Sequence, residues 1–132
     1  MTDSKIGHIG WIDLTADNAE TIREFYEQVT GWKSSPVSMG DYDDHCMLPQ
    51  KGESPIAGIC HRKGSNAKIP AGWTIYITVA DIEASIRECL KLGGSVIAGP
   101  REYGASARYC IIKDPEGAHV ALYSETTAAP DK

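Results

Sequence analysis

Between Ile9 and Thr15 the chain alternates apolar and polar positions and is bounded by turn residues, which predicts a strand. The period then changes. Ala19, Ile22, Tyr26 and Val29 recur at spacings of three and four, so they form the apolar face of a helix. Asp17 is the expected N-cap, and Glu20 stands where it can return a hydrogen bond to the cap backbone. Gly31 ends the helix, because a left-handed residue there satisfies the last carbonyls. Trp32 to Val37 predicts a second strand and Met39 to Asp44 (MGDYDD) a polar turn. Cys46–Leu48 and Ile56–Cys60 predict two antiparallel strands joined by Pro-Gln-Lys-Gly-Glu-Ser.

The same order then recurs. Trp11–Cys60 and Thr74–Tyr123 look like two copies of one unit, and Ile22-Arg23-Glu24 returns as Ile86-Arg87-Glu88. A period this long, about 60 residues, makes each copy a whole sheet-and-helix module. In the second copy Ile75, Ile77 and Val79 alternate with Thr74, Tyr76 and Thr78. Asp81 caps a helix whose inward face is Ile82, Ile86, Cys89 and Leu90, and Gly93-Gly94 ends it. Ser95–Ala98, Arg108–Lys113 and Ala118–Tyr123 complete the strands, with a turn at Asp114-Pro115-Glu116-Gly117 where proline fixes φ and glycine accepts a positive one. The expected organisation is a single domain over 1–132. Module 1 covers about 6–61, a linker about 62–72 and module 2 about 73–124, with a tail at 125–132 expected to be disordered.

Composition narrows the function classes. A chain of 132 residues with 42% apolar and 23% charged residues fits one globular domain with a real core. A net charge of −5 argues against a nucleic-acid surface, which needs a clustered basic face. No apolar run approaches the roughly 20 residues of a membrane span, and MTDSKIGHIG carries no secretory apolar region. Cys46, Cys60, Cys89 and Cys110 are scattered without a C-x-x-C pair, as expected of small buried hydrophobes in a reducing cytoplasm.

The doubled β-α-β-β-β order, the D-I-E-A-S-I helix opening and the closing hairpin IIKDPEGAHVALY resemble the vicinal oxygen chelate superfamily. That group holds glyoxalase I, extradiol dioxygenases, fosfomycin-resistance enzymes and bleomycin-resistance proteins. The resemblance covers about Ile9 to Tyr123. It implies an α+β fold in which two βαβββ modules in tandem form a cup-shaped mixed or antiparallel sheet with helices on the convex side. In the metalloenzymes of the superfamily, His, Gln or Glu side chains in the cup hold a divalent metal that acts as a Lewis acid. Carried over one at a time, the ligand positions fall near Ile9 to Trp11, near Gly58, on Thr74 and on Ala121. Of these only Thr74 has a donor, and a weak one. The expectation is therefore no metal and no cofactor.

Strand alternation supplies the other candidates. If Ile12 and Leu14 face the first helix, Trp11 and Asp13 face the cup, and Thr74 and Tyr76 follow by the same rule. His119 and Tyr123 flank Ala121 at period two. An acidic side chain such as Asp13 on a core strand needs a partner, with Arg101 or Arg108 in the loop REYGASAR as choices. That loop reads as a mobile rim whose arginines could grip a carboxylate or simply be solvated. His8 reads as a surface or strand-start histidine. His45 and His61 sit at strand ends, His61 within a solvated patch with Arg62-Lys63.

The leading expectation is a glyoxalase/bleomycin-resistance-like protein that binds a small organic molecule without a metal. Its ligand-binding residues would be Trp11, Asp13, Thr74, Tyr76, His119, Tyr123, Arg101 and Arg108, in a cytoplasmic homodimer. The alternative is an enzyme of the lyase, isomerase or dioxygenase type, with displaced metal ligands or with His119 or Asp13 as a metal-free base. A third reading makes the cup a filled core and the chain an interaction module.

Overall fold

The computed structural model describes residues 5–52 and 54–125, without the Ser65 side chain. Its elements are β1 (Ile9–Ala16), α1 (Ala19–Thr30), β2 (Lys33–Ser38), β3 (Asp43–Leu48) and β4 (Ala57–His61). A 3-10 turn at Gly64–Asn66 precedes β5 (Gly72–Thr78), α2 (Ile82–Lys91), β6 (Ser95–Tyr103), β7 (Ala107–Lys113) and β8 (His119–Glu125). The fold is α+β, with the β-α-β-β-β order present twice. Two compact units result: Trp11–Thr74, and residues 5–10 together with 75–125. Of the tail expected to be disordered, Glu125 ends β8 and the rest lies outside the described residues.

In the unit Trp11–Thr74 the strands lie in the order β2-β3-β4-β1. β3 pairs antiparallel with both β2 and β4, and β4 runs parallel to β1 with Asp13 opposite Gly58. Helix α1 covers one face, burying Ala19 against Leu14, Met47, Ala57 and Ile59, with Ile22, Tyr26 and Trp32 at the margin. Leu14, Met47 and Ile59, so buried, each stabilise the fold by roughly 1.5–3 kcal/mol. Trp73 adds an aromatic lid over the margin, edge-on to Tyr26 at 5.4 Å, and its Nε1 donates to the Tyr26 hydroxyl at 3.3 Å.

Three expectations change in this unit. The cap is Asn18, whose side chain accepts from the Thr21 amide at 3.2 Å, while Asp17 pairs with Arg62 at 3.4 Å. Val29 is exposed, not core. His45 and His61 are buried, not solvated, because they continue the inward alternation of Met47 and of Ala57–Ile59. The His45 Nε2 lies 2.9 Å from a Glu20 carboxylate oxygen, and the His61 Nδ1 accepts from the Ala19 amide at 3.4 Å.

In the other unit the order is β5-β8-β7-β6, with β5 parallel to β8 and the rest antiparallel. Asp81 caps α2 as expected, accepting from the amides of Glu83 at 2.9 Å and Ala84 at 3.4 Å. Ile82, Cys110 and Leu122 form the core, with Ile77, Val79, Ile86 and Ile112 packed around it. Leu90 is exposed, contrary to its place on the expected inward face. Gly7 donates to the Thr78 carbonyl at 2.7 Å and Thr78 donates to the His8 carbonyl at 2.9 Å, which ties the first described residues to β5. The β7–β8 turn is held by the Asp114 carboxylate, which accepts from the amides of Glu116 and Ala118. The expected rim loop is mostly strand: β6 runs to Tyr103 and β7 starts at Ala107.

Candidate functional site

Each sheet has one face under its helix and one turned away from it, and the candidate chemistry sits on the second. In the unit holding α2, the register places Arg101 opposite Tyr109, and Tyr109 opposite Tyr123. Cross-strand partners share a face, so these three side chains form one row. Tyr76, opposite Ala121 on the adjacent strand, brings its ring to 6.3 Å from that of Tyr109. Tyr103 stands edge-on to both Tyr109, at 6.2 Å and 88°, and Tyr123, at 6.5 Å and 73°. The Arg101 guanidinium lies 6.0 Å from the Tyr109 ring centroid and donates through Nη1 to the Tyr109 hydroxyl at 3.3 Å. Burial pushes the Tyr123 phenol above its ordinary pKa, with smaller contributions from Glu125 and Tyr103. It is a protonated hydrogen-bond donor at neutral pH.

The unit holding α1 has a smaller and more polar constellation. The Trp11 indole Nε1 donates to an Asp13 carboxylate oxygen at 2.6 Å, fixing both side chains. A methyl group built on Gly58 would run into that carboxylate, so the glycine leaves the room Asp13 occupies. Cys46 lies opposite Gly58. Burial raises the Cys46 thiol pKa, and the Asp13 charge adds to it. Cys60 is raised much further, first by burial and then by Asp13 and Asp44. Cys110, on the helix side of the other unit, is pushed up to about 11 by burial. Thiols shifted this way stay protonated and are poor nucleophiles. All four cysteines are free.

The structure thus groups Trp11 with Asp13, and Tyr76 with Tyr123 and Arg101. Arg108 goes elsewhere. It points to the helix side, where it pairs with Glu83 at 2.8 Å and Glu102 at 3.6 Å. His119 opens β8 opposite Lys113, on the face it shares with Ala121 and Tyr123. Thr74 is buried on β5, two residues before Tyr76. The Asp13 carboxylate accepts from the Trp11 indole. Tyr109 and Tyr103 are the additions that sequence reasoning missed. Alternation within Arg108–Lys113 was signal enough for Tyr109, since Cys110 and Ile112 take the helix side.

The residues that the resemblance assigns to the metal positions do not fit a divalent cation. Gly58 has no side chain, Ala121 offers a buried methyl, and Thr74 a single buried hydroxyl. Among the described residues no three His, Cys, Asp or Glu side chains converge as a metal ligand set.

Comparison with known proteins agrees with the architecture. A family model described as the Glyoxalase/Bleomycin resistance protein/Dioxygenase superfamily matches residues 5–122. The chain is 26% identical over 129 residues to the "Putative glyoxylase CFP32" of Mycobacterium tuberculosis, covering 98% of this chain and 47% of that protein. It is 28% identical over 112 residues to the anthracycline biosynthesis protein DnrV of Streptomyces peucetius, covering 85% of this chain and 39% of that one. It therefore spans less than half the length of these curated relatives. Among solved structures it is similar to the hypothetical protein BH1468 from Bacillus halodurans C-125, with a TM-score of 0.59 and 17% identity over 94% of this chain and 98% of that one. A second likeness is to methylmalonyl-CoA epimerase from Mycobacterium tuberculosis, with a TM-score of 0.54 and 18% identity over 94% of this chain and 89% of that one. At such identities the likeness is one of fold.

Proposed function

The chain belongs to the Glyoxalase/Bleomycin resistance protein/Dioxygenase superfamily, and from that premise we propose that it binds a small organic molecule by shape, stacking and hydrogen bonding, without a metal. The observation that carries this reading is the row Arg101–Tyr109–Tyr123 with Tyr76 and Tyr103 around it, on the sheet face away from α2. Aromatic walls with a few convergent polar groups are what organic ligands need. Trp11 with Asp13 is a second recognition surface, in its own unit, and His119 and Thr74 are further candidate contacts.

A thermal-shift panel tests this. It includes bleomycin, an anthracycline and methylmalonyl-CoA, chosen from the names of the family and of the similar proteins. A binder should raise the melting temperature of the wild type, and Tyr76→Ala or Tyr123→Ala should reduce that rise. Leu92→Ala, on the exposed helix end, should not. If no small molecule shifts the melt, or if all three variants behave alike, the reading fails.

One observation favours an enzyme as the second reading: the Asp13 carboxylate is held in a fixed orientation by the indole at 2.6 Å, as a general base must be. The likeness to methylmalonyl-CoA epimerase is compatible with it. Turnover of a glutathione hemithioacetal, a catechol or an acyl-CoA, lost in Asp13→Asn with binding retained, would establish it. A homodimer in the cytoplasm completes the proposal. Light scattering on the purified protein checks the dimer, and fractionation of the source cells checks the compartment.

A further inference from the structure

We propose that the Arg101–tyrosine surface selects a flat aromatic molecule bearing a carboxylate over its uncharged counterpart. This rests on the small-molecule reading above and narrows it to a ligand class. The first observation is the company Arg101 keeps. Arg23 pairs with Glu20 and Glu27, Arg62 with Asp17, and Arg108 with Glu83 and Glu102. Among the described residues no carboxylate lies within ion-pair distance of Arg101, although the chain has an excess of acids and a net charge of −5. Its guanidinium rests instead against the Tyr109 ring and hydroxyl. Contact with a phenol leaves the positive charge uncompensated and the fork largely unused, since one of five N–H donors is committed. A carboxylate is the planar anion that fits a guanidinium fork with two parallel hydrogen bonds.

The second observation is what surrounds that charge. Tyr103 is 64% exposed and stands edge-on to two other tyrosines, so its ring is held in place with a face left for a ligand. Tyr109, Tyr76 and Tyr123 supply further ring surface on the same face. Stacked and edge-to-face ring pairs add about 0.5–1.5 kcal/mol beyond simple burial, and a saturated ring does not have the flat π-face that stacking requires. The raised Tyr123 phenol keeps its proton and so adds a donor, not a repelling anion. The charge and the rings therefore ask for one molecule with an acid at the edge of a flat ring system.

Isothermal titration with 2-naphthoate, 2-naphthamide and cyclohexanecarboxylate tests the inference on the wild type, Arg101→Gln and Arg101→Lys. Wild type should bind naphthoate about tenfold or more tighter than naphthamide, the scale of one charge-assisted pair. Cyclohexanecarboxylate should bind more weakly than naphthoate by a similar factor. Arg101→Gln should erase the acid preference, bringing the naphthoate and naphthamide affinities together, with the circular dichroism unchanged. Arg101→Lys, which keeps the charge but not the fork, should restore part of it. Equal binding of acid and amide by the wild type overturns the inference, as does an acid preference that survives Arg101→Gln. Cyclohexanecarboxylate binding as tightly as naphthoate also overturns it. In each of those cases the small-molecule reading survives. Absence of binding by these probes and by every member of the wider panel sinks both.

Discussion

The two units share a plan on one face and part company on the other. Under α1 and under α2 the same kind of stripe is buried: Ala19 and Ile22 in one, Ile82 and Ile86 in the other, each against strand aliphatics. Turned away from the helices, one unit offers a tryptophan-held carboxylate above a glycine, flanked by thiols. The other offers four tyrosines and an arginine. The difference teaches where a repeated module is constrained. Packing holds the helix side to one solution, whereas the open side diverges, and function has to be argued there and not from the fold.

Core truncations test whether the helix sides are equivalent. Ile59→Ala and Ile82→Ala, both nearly or fully buried, should each lower stability by about 2–5 kcal/mol in urea unfolding. A loss below about 1 kcal/mol at either would break the equivalence. Glycine substitutions sharpen the contrast between the units. At Gly99 (φ 90°) an added Cβ would sit 2.9 Å from the Tyr109 carbonyl oxygen and 3.1 Å from the Cys110 Cα. Backbone cannot step aside, so Gly99→Ala should cost roughly 2–3 kcal/mol. Gly58→Ala meets side chains instead, the Asp13 carboxylate first and then the Trp11 ring at 3.6 Å. It should cost about 1 kcal/mol, by loss of the indole hydrogen bond, and should change tryptophan fluorescence. An unchanged spectrum would mean that the pair does not depend on the glycine.

Capping is a smaller difference of the same kind. Asp81 accepts from two amides and places a negative charge at a helix N-terminus, whereas Asn18 accepts from one. Asp81→Ala should cost about 1 kcal/mol and Asn18→Ala about 0.5. Asp17→Ala should have no measurable effect, because its ion pair is exposed. A large loss at Asp17 would return the cap to that residue.

The smallest effect is a pH dependence confined to the α1 unit. The hydrogen bond with the His45 ring lowers the Glu20 pKa from its ordinary 4.5, partly offset by desolvation and helped by the charges of His45 and Arg23. A depressed carboxyl stabilises the fold above its ordinary pKa, and that contribution fades as pH falls through the folded value. Glu20 is half exposed, so solvent screening keeps it small. The stability gap between wild type and Glu20→Gln should therefore shrink on acidification through the carboxylate range. A gap that widened there would have the wrong sign.

Much of this architecture is legible in the chain, and the failures have physical reasons. Alternation and three-four spacing locate β1, both helices and the closing hairpin, and Gly31, Asp81 and Asp114 act as their residue types require. Asp17 and Asn18 are both good caps, and one residue of difference lies below what pattern can resolve. Val29 and Leu90 lie on apolar stripes but are exposed, since periodicity picks a helix face without saying how far a sheet extends beneath it. The arginines were harder still. Arg101 and Arg108 look equivalent in REYGASAR, but an extended β6 and β7 place them on opposite sheet faces. The same extension turned Tyr103 from a loop residue into part of the tyrosine cluster.

Recognition without a metal is the central claim, and a ligand-induced melting shift measured in chelator and again with added divalent ions tests it most directly. The shift should be the same in both buffers, and chelator alone should leave the melting temperature of the free protein unchanged. A shift that disappears in chelator and returns with the ion would contradict the claim.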